Sequence, residues 1–244
     1  MLGRFPHPRR GFTQGLVVHG WTAWESTGRY GESALHRYQL GAPLAEQSVA
    51  LPPELFAEGI CLAGEHLWQL TWRERAALRW DPQAMELLET IPYNREGWGI
   101  CQVGDHLVTS DGSSELVWRD PQELKPLGLI RVRVAGQRLD GLNDLTWDGA
   151  RIWANVLTTP YLAAIDPATG QVTDVVDARA ARERYRDPDA VMNGLCALPA
   201  RGEFLLTGKR WRSLYHVRIA ASRRGEVKPA RLLARDWRVG APIP

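Results

Sequence analysis

Short apolar runs separated by turn-forming residues recur along almost the whole chain. The runs are too brief for helices and are rich in Leu, Val, Ile and Trp, which predicts strands. They also repeat as units. Five segments share a polar or aromatic residue, then usually glycine, then an aliphatic residue: Gln14-Gly15-Leu16, Glu58-Gly59-Ile60, Trp98-Gly99-Ile100, Asn143-Asp144-Leu145 and Asn193-Gly194-Leu195. A second run follows each, namely WTAWES at 21–26, HLWQLTW at 66–72, HLVTSDG at 106–112, RIWANVL at 151–157 and EFLLTGK at 203–209. A third run leads in three units into Asp-Pro (Asp81-Pro82, Asp120-Pro121, Asp166-Pro167), where proline presets φ and Asp accepts a backbone hydrogen bond. A fourth, such as LLETI at 87–91 or QVTDVV at 171–176, closes the unit.

Four short strands at a period of about 40–50 residues are the mark of propeller blades. A blade cannot bury both faces alone, so neighbours stack around an axis. The pattern therefore predicts an all-β, five-bladed β-propeller with four antiparallel strands per blade, one domain over residues 1–244. The stretch ARAARERYRD at 178–187 reads as a helix-like insertion between the last two blades. Which strand closes the ring is left open.

Propeller topology turns the repeat into a site. The innermost strand of each blade lines the channel and the second runs antiparallel to it, so the start of one and the end of the other share a face. Gln14, Glu58, Trp98, Asn143 and Asn193 then gather at one mouth, with Trp72, Asp111, Leu157 and Lys209 just outside. Apolar walls around a few convergent polar groups make this the expected binding site. Taken singly, Gln and Asn could satisfy buried backbone, the indoles could plug the channel, and Glu58 with Lys209 could be a structural ion pair.

Composition adds mostly exclusions. The 44% hydrophobic content suits a sizeable core, and no apolar run approaches the about 18 residues of a membrane span. Thirty basic residues nearly cancel 28 acidic ones, for a net charge of +2. Arginines thicken toward the end (Arg210, Arg212, Arg223, Arg224, Arg231, Arg235, Arg238), but no nucleic-acid motif accompanies them and they read as a solvated surface. The opening MLGRFPHPRRGF has no signal-peptide core, which favours the cytoplasm unless the start has been trimmed, in which case export is open. The three cysteines, Cys61, Cys101 and Cys196, each stand three residues after a ring position, and so read as reduced, buried inner-strand residues. None of the six histidines falls at a ring position, and no zinc-hydrolase spacing, GxSxG elbow or phosphate loop occurs.

A set of motifs sharpens the picture. FTQGL at 12–16, ESTGRYG at 25–31, FAEGI at 56–60, QLTW at 69–72, EGWGI at 96–100 and SDGS at 110–113 are followed by a second group. LNDL at 142–145, IWANV at 152–156, IDPATGQV at 165–172, MNGL at 192–195 and TGKRW at 207–211 complete it, up to about Tyr215. Together these resemble the plant and bacterial type of glutamine cyclotransferase, a family of five-bladed propellers. The resemblance implies an enzyme that closes the N-terminal glutamine of a peptide to pyroglutamate and releases ammonia, as a monomer, with no metal or cofactor and no nucleic-acid or membrane partner. It assigns Glu58 as acid/base catalyst, Gln14, Asn143 and Lys209 as polar pocket residues, and Phe12, Phe56, Trp72 and Trp98 as aromatic ones. Of these, Glu58, Asn143 and Lys209 are the expected catalytic set; the remainder, with Asn193, are expected to bind substrate. The sequence departs from the family at Leu157, where tryptophan is usual, and at Asp144, where Glu is commoner. Two other readings stay open on sequence: a non-catalytic propeller that binds a peptide terminus, and a metal-dependent lactonase or lyase propeller.

Overall fold

The computed structural model describes residues 1–8, 11–181, 188–198 and 202–219. They form five antiparallel four-stranded sheets and one short hairpin. Blade one comprises β2 (Thr13–His19), β3 (Thr22–Thr27), β4 (Ala34–Gln39) and β5 (Gln47–Ala50). Blade two comprises β6 (Ala57–Ala63), β7 (His66–Thr71), β8 (Ala76–Asp81) and β9 (Glu86–Pro92). Blade three comprises β10 (Ile100–Val103), β11 (His106–Thr109), β12 (Glu115–Arg119) and β13 (Pro126–Arg131). The hairpin of β14 (Arg133–Val134) and β15 (Gln137–Arg138) precedes blade four, which holds β16 (Leu142–Trp147), β17 (Ile152–Val156), β18 (Tyr161–Ile165) and β19 (Val172–Asp177). Blade five runs through β20 (Met192–Leu198), β21 (Glu203–Gly208) and β22 (Ser213–Arg218).

The fourth strand of blade five comes from the other end of the chain. Here β1 (Gly3–Pro6) pairs antiparallel with β22, Gly3 opposite His216 and Pro6 opposite Ser213. The ring closure left open by the sequence is therefore made by the N-terminal strand. A buried cluster holds the seam just beyond it. His7 Nε2 lies 2.8 Å from Glu25 Oε2 and its Nδ1 2.7 Å from the Trp211 carbonyl oxygen. Thr13 Oγ1 and Tyr38 Oη donate to the same carboxylate at 2.7 and 3.1 Å.

Packing follows from strand alternation. Inward-facing apolar residues of neighbouring blades form five clusters, one per blade interface. Trp153, Phe204 and Leu206 fill the gap between blades four and five. Leu16, Ala23 and Tyr38 of blade one meet Cys196, Leu205 and Leu214 of blade five and complete the circle. Each fully buried aliphatic contributes about 1.5–3 kcal/mol. Cys61, Cys101 and Cys196 are free, buried thiols in these clusters.

The predicted turns are observed. Asp81, Asp120 and Asp166 each accept from two backbone amides of the following turn at 2.7–3.0 Å. The expected helix-like stretch differs: Arg179–Ala181 forms a single 3₁₀ turn between β19 and β20, and 182–187 lie outside the described residues. Arg223, Arg224, Arg231, Arg235 and Arg238 also lie outside them.

Candidate active site

The ring residues stand where each inner strand leaves its ladder. In β2 the register shifts between Thr13 and Gly15, in β6 between Ala57 and Ile60, in β16 between Leu142 and Leu145, and in β20 between Met192 and Leu195. Gln14, Glu58, Asn143 and Asn193 fall inside those breaks. A bulge unpairs a residue and re-aims its side chain, which is how a strand delivers one polar group to the axis without a break in its apolar face. The glycine that follows answers a different demand. A Cβ on Gly15, Gly59 or Gly99 would sit 2.1–2.6 Å from backbone of the next blade, so in blades one to three only glycine lets the inner strands approach this closely. In blade four the place belongs to Asp144. Its buried carboxylate accepts from the Leu145 and Leu195 amides at 3.1 and 2.8 Å and ties the inner strands below the site.

Above that floor lies a cavity of about 280 Å³. Glu58 lies in its lining, 5% exposed. Gln14 Nε2 donates to Glu58 Oε1 at 2.9 Å, and Asn193 Nδ2 donates to Gln14 Oε1 at 2.7 Å, so one directional chain orients the carboxylate. Phe12, Phe56 and Trp72 form a shelf of edge-to-face rings, with centroids 6.4 and 5.4 Å apart. Lys209 Nζ lies 4.3 Å from the Phe12 ring centre. Trp98 and Leu157 complete the wall, and the Trp98 indole packs on Gly112, whose missing side chain leaves the space. Asn143 is fixed through its carbonyl, which accepts from Ser110 Oγ at 2.8 Å, while its side-chain oxygen has no partner among the described residues.

The two central charges are driven toward each other's range. Burial pushes the Glu58 carboxyl well above the usual carboxylate range; Lys209 pulls it back, and Glu74, Asp144 and Glu96 add to the rise. Burial likewise brings the Lys209 ammonium down to about 8, against the attraction of Glu58 and Asp189. Titratable groups whose environments move them toward neutrality suit proton exchange near pH 7.

The structure brings Phe12, Gln14, Phe56, Glu58, Trp72, Trp98, Asn143, Leu157 and Lys209 to one cavity. Asn193 is set one shell behind: its Nδ2 is engaged by Thr13 O and Gln14 Oε1, and it supports the wall rather than forming it. Asp111 caps its own turn through Ser113 and pairs with Arg95 at 2.7 Å. Sequence reasoning missed Arg29, Tyr30 and Glu32, which enter the lining from the loop between β3 and β4. The repeat could not signal them: Trp72, Leu157 and Lys209 enter from the corresponding loops of their own blades at the position just after the second strand, where blade one has Gly28, and the three missed residues lie further along. ESTGRYG was the available cue. Among the described residues, no group of three or more His, Cys, Asp or Glu is gathered to hold a metal ion.

Comparison with known proteins bears on most of the chain. The family described as glutamine cyclotransferase matches residues 1–219. A curated relative from Arabidopsis thaliana, named glutaminyl-peptide cyclotransferase, is 30% identical over 226 residues, which is 90% of this chain and 70% of the relative. The crystal structure of Myxococcus xanthus glutaminyl cyclase superposes with a TM-score of 0.83 at 35% identity, covering 89% of this chain and 94% of that one. A family match over nearly nine-tenths of the length, a relative that agrees and a shared five-bladed ring lead to one statement: this chain belongs to the glutamine cyclotransferase family.

Proposed function

We propose that the protein is a glutaminyl-peptide cyclotransferase, and that Glu58 is its acid/base catalyst. The observation that carries this reading is one buried carboxylate, oriented by Gln14 and faced by Lys209, in the lining of an aromatic-walled cavity.

The reaction joins the α-amine nitrogen of an N-terminal glutamine to its own δ-carboxamide carbon and breaks the bond from that carbon to the amide nitrogen. The amine must first be neutral, and an α-ammonium has a pKa of about 7.7–8.0. Glu58, raised by burial, accepts the proton as the new bond forms and returns it to the departing nitrogen, so that ammonia rather than amide anion leaves. Lys209 and the Asn143 carboxamide stabilise the carbonyl oxygen as negative charge gathers there. Phe12, Phe56, Trp72 and Trp98 exclude water and hold the flexible side chain folded, which matters because the reaction is already intramolecular. Every step is given to a side chain, so we take catalysis to proceed without a metal ion.

Ammonia release from a Gln-initiated peptide tests the reading, together with the mass change of the peptide. Turnover that survives exhaustive chelation supports it in full. No ammonia from any such peptide refutes the activity, and loss on chelation that metal restores refutes metal independence.

A further inference from the structure

The loop between β3 and β4 crosses the cavity mouth in a constrained shape. Gly28 leaves no room for a Cβ, which would sit 2.3 Å from the Phe56 ring. Arg29 follows with φ of 131°, a conformation that costs a non-glycine residue about 1–3 kcal/mol and that collects at functional sites. The surroundings hold it there. The Arg29 carbonyl accepts from Glu32 N at 3.0 Å and Ser33 Oγ at 2.8 Å, and Gly31 N donates to Pro53 O at 2.9 Å.

That backbone lays the guanidinium 4.7 Å from the Phe12 ring centre, on the ring that also carries Lys209. Among the described residues it meets one acceptor, Asp189 Oδ2, at 3.4 Å. A guanidinium offers five N–H donors, so most of this one's capacity is uncommitted, and the side chain remains 30% exposed. Other charges at the rim are engaged or in open water. Glu74 accepts from Tyr30 Oη at 2.7 Å, Glu96 is held by Trp72 Nε1 and Arg73, and Glu32 is exposed.

With the amine of the glutamine at Glu58, the next residue lies toward the mouth, where Arg29 stands in the lining. We propose that Arg29 is a specificity-determining residue that favours an acidic side chain immediately after the N-terminal glutamine. The inference rests on the cyclotransferase reading above. Arg29 provides a planar donor pair that matches a carboxylate, where a lysine side chain would meet like charge.

The test compares kcat/KM for the amidated tripeptides Gln-Glu-Ala, Gln-Gln-Ala and Gln-Lys-Ala near neutral pH, in the parent enzyme, Arg29→Gln and Arg29→Lys. The parent should prefer Gln-Glu-Ala over Gln-Lys-Ala by about three- to tenfold, mostly in KM, as expected of a half-exposed pair. The preference should shrink in about 0.5 M salt, fall to near one in Arg29→Gln and persist in part in Arg29→Lys. Should Arg29→Gln fail to fold, the salt response and Arg29→Lys decide the matter. Equal use of the three peptides, a preference for Gln-Lys-Ala, or an acidic preference unchanged in Arg29→Gln overturns the inference and leaves the activity standing. No ammonia from any peptide overturns both.

Discussion

Replacement of Glu58 by glutamine is the sharpest test of the chemistry, because it changes the proton inventory and little else. The new carboxamide has the shape of the old carboxylate, and its oxygen can still accept from Gln14 Nε2, which now donates at 2.9 Å. What is lost is the only proton acceptor that the proposal places at the amine. Glu58 is 5% exposed, so bulk water is poorly placed to take over. Loss of acid/base help costs about 10²–10⁴-fold, and kcat should therefore fall at least about 100-fold, or about 2.7 kcal/mol in the barrier. KM should change less, since the aromatic shelf stays. Stability should hold or improve, because burial opposes the charged form of Glu58 and the substitution removes that charge. The assay is continuous ammonia release from one Gln-initiated peptide, with thermal unfolding of both proteins in parallel. A folded Glu58→Gln enzyme with kcat within about threefold of the parent would remove Glu58 from the mechanism, since acid/base help is worth far more than that.

Leu157→Trp should lower KM for the same peptide by about two- to tenfold with little change in kcat, the value of a restored aromatic contact; a rise in kcat at constant KM would show instead that this wall orients the reacting groups. The pH profile of kcat/KM should fall on the acid side as Glu58, at its raised pKa, and the substrate α-amine, at about 7.7–8.0, take up protons, and on the alkaline side as Lys209 loses its proton near 8. Because Lys209 lowers the Glu58 pKa, Lys209→Met should move the acid limb to higher pH and remove the alkaline one; an unmoved acid limb refutes the coupling. Glu25 tests the ring seam. Burial alone would raise its carboxyl, but His7, His36 and the Thr13 hydroxyl hold it at about 2, below its ordinary 4.5. A lowered folded pKa adds stability above the unfolded value, lost as pH falls from about 4.5 toward 2, by up to about 3 kcal/mol. Urea titrations should show that acid loss in the parent and a flatter profile in Glu25→Gln; equal slopes would refute the account.

How much of this could be read from the residues depends on what repeats. The ring positions recur once per blade two residues before a Leu or Ile, so Gln14, Glu58, Trp98, Asn143 and Asn193 were legible from the repeat. Their depth was not. Asn193 and Asn143 look equivalent in the repeat, yet Asn193 is drawn behind Gln14 by a hydrogen bond to Thr13 O, a contact across the ring seam. Arg29 illustrates another limit. Its φ of 131° belongs to glycine's usual territory, and the residue type gives no sign that an arginine adopts it there. The strand Gly3–Pro6 was hidden for a similar reason. Four residues of alternating intermediate and exposed burial carry no strong strand pattern, and the partner that makes them a strand lies at the far end of the chain.

That partnership has a consequence for how the protein is made. His7 and the Trp211 carbonyl that it contacts are 204 residues apart in the chain. At about 5–20 residues per second the ribosome needs about 10–40 s to travel between them. Through that interval Gly3–Pro6 has no sheet to join, and the blade-one surface of Leu16, Ala23 and Tyr38 has not met its cover of Leu205 and Leu214. The strand Gly3–Pro6, made before blade one, is thus seated after it. Blades one to four can assemble as they emerge, each on its predecessor, but sealing the ring waits until β22 has left the exit tunnel.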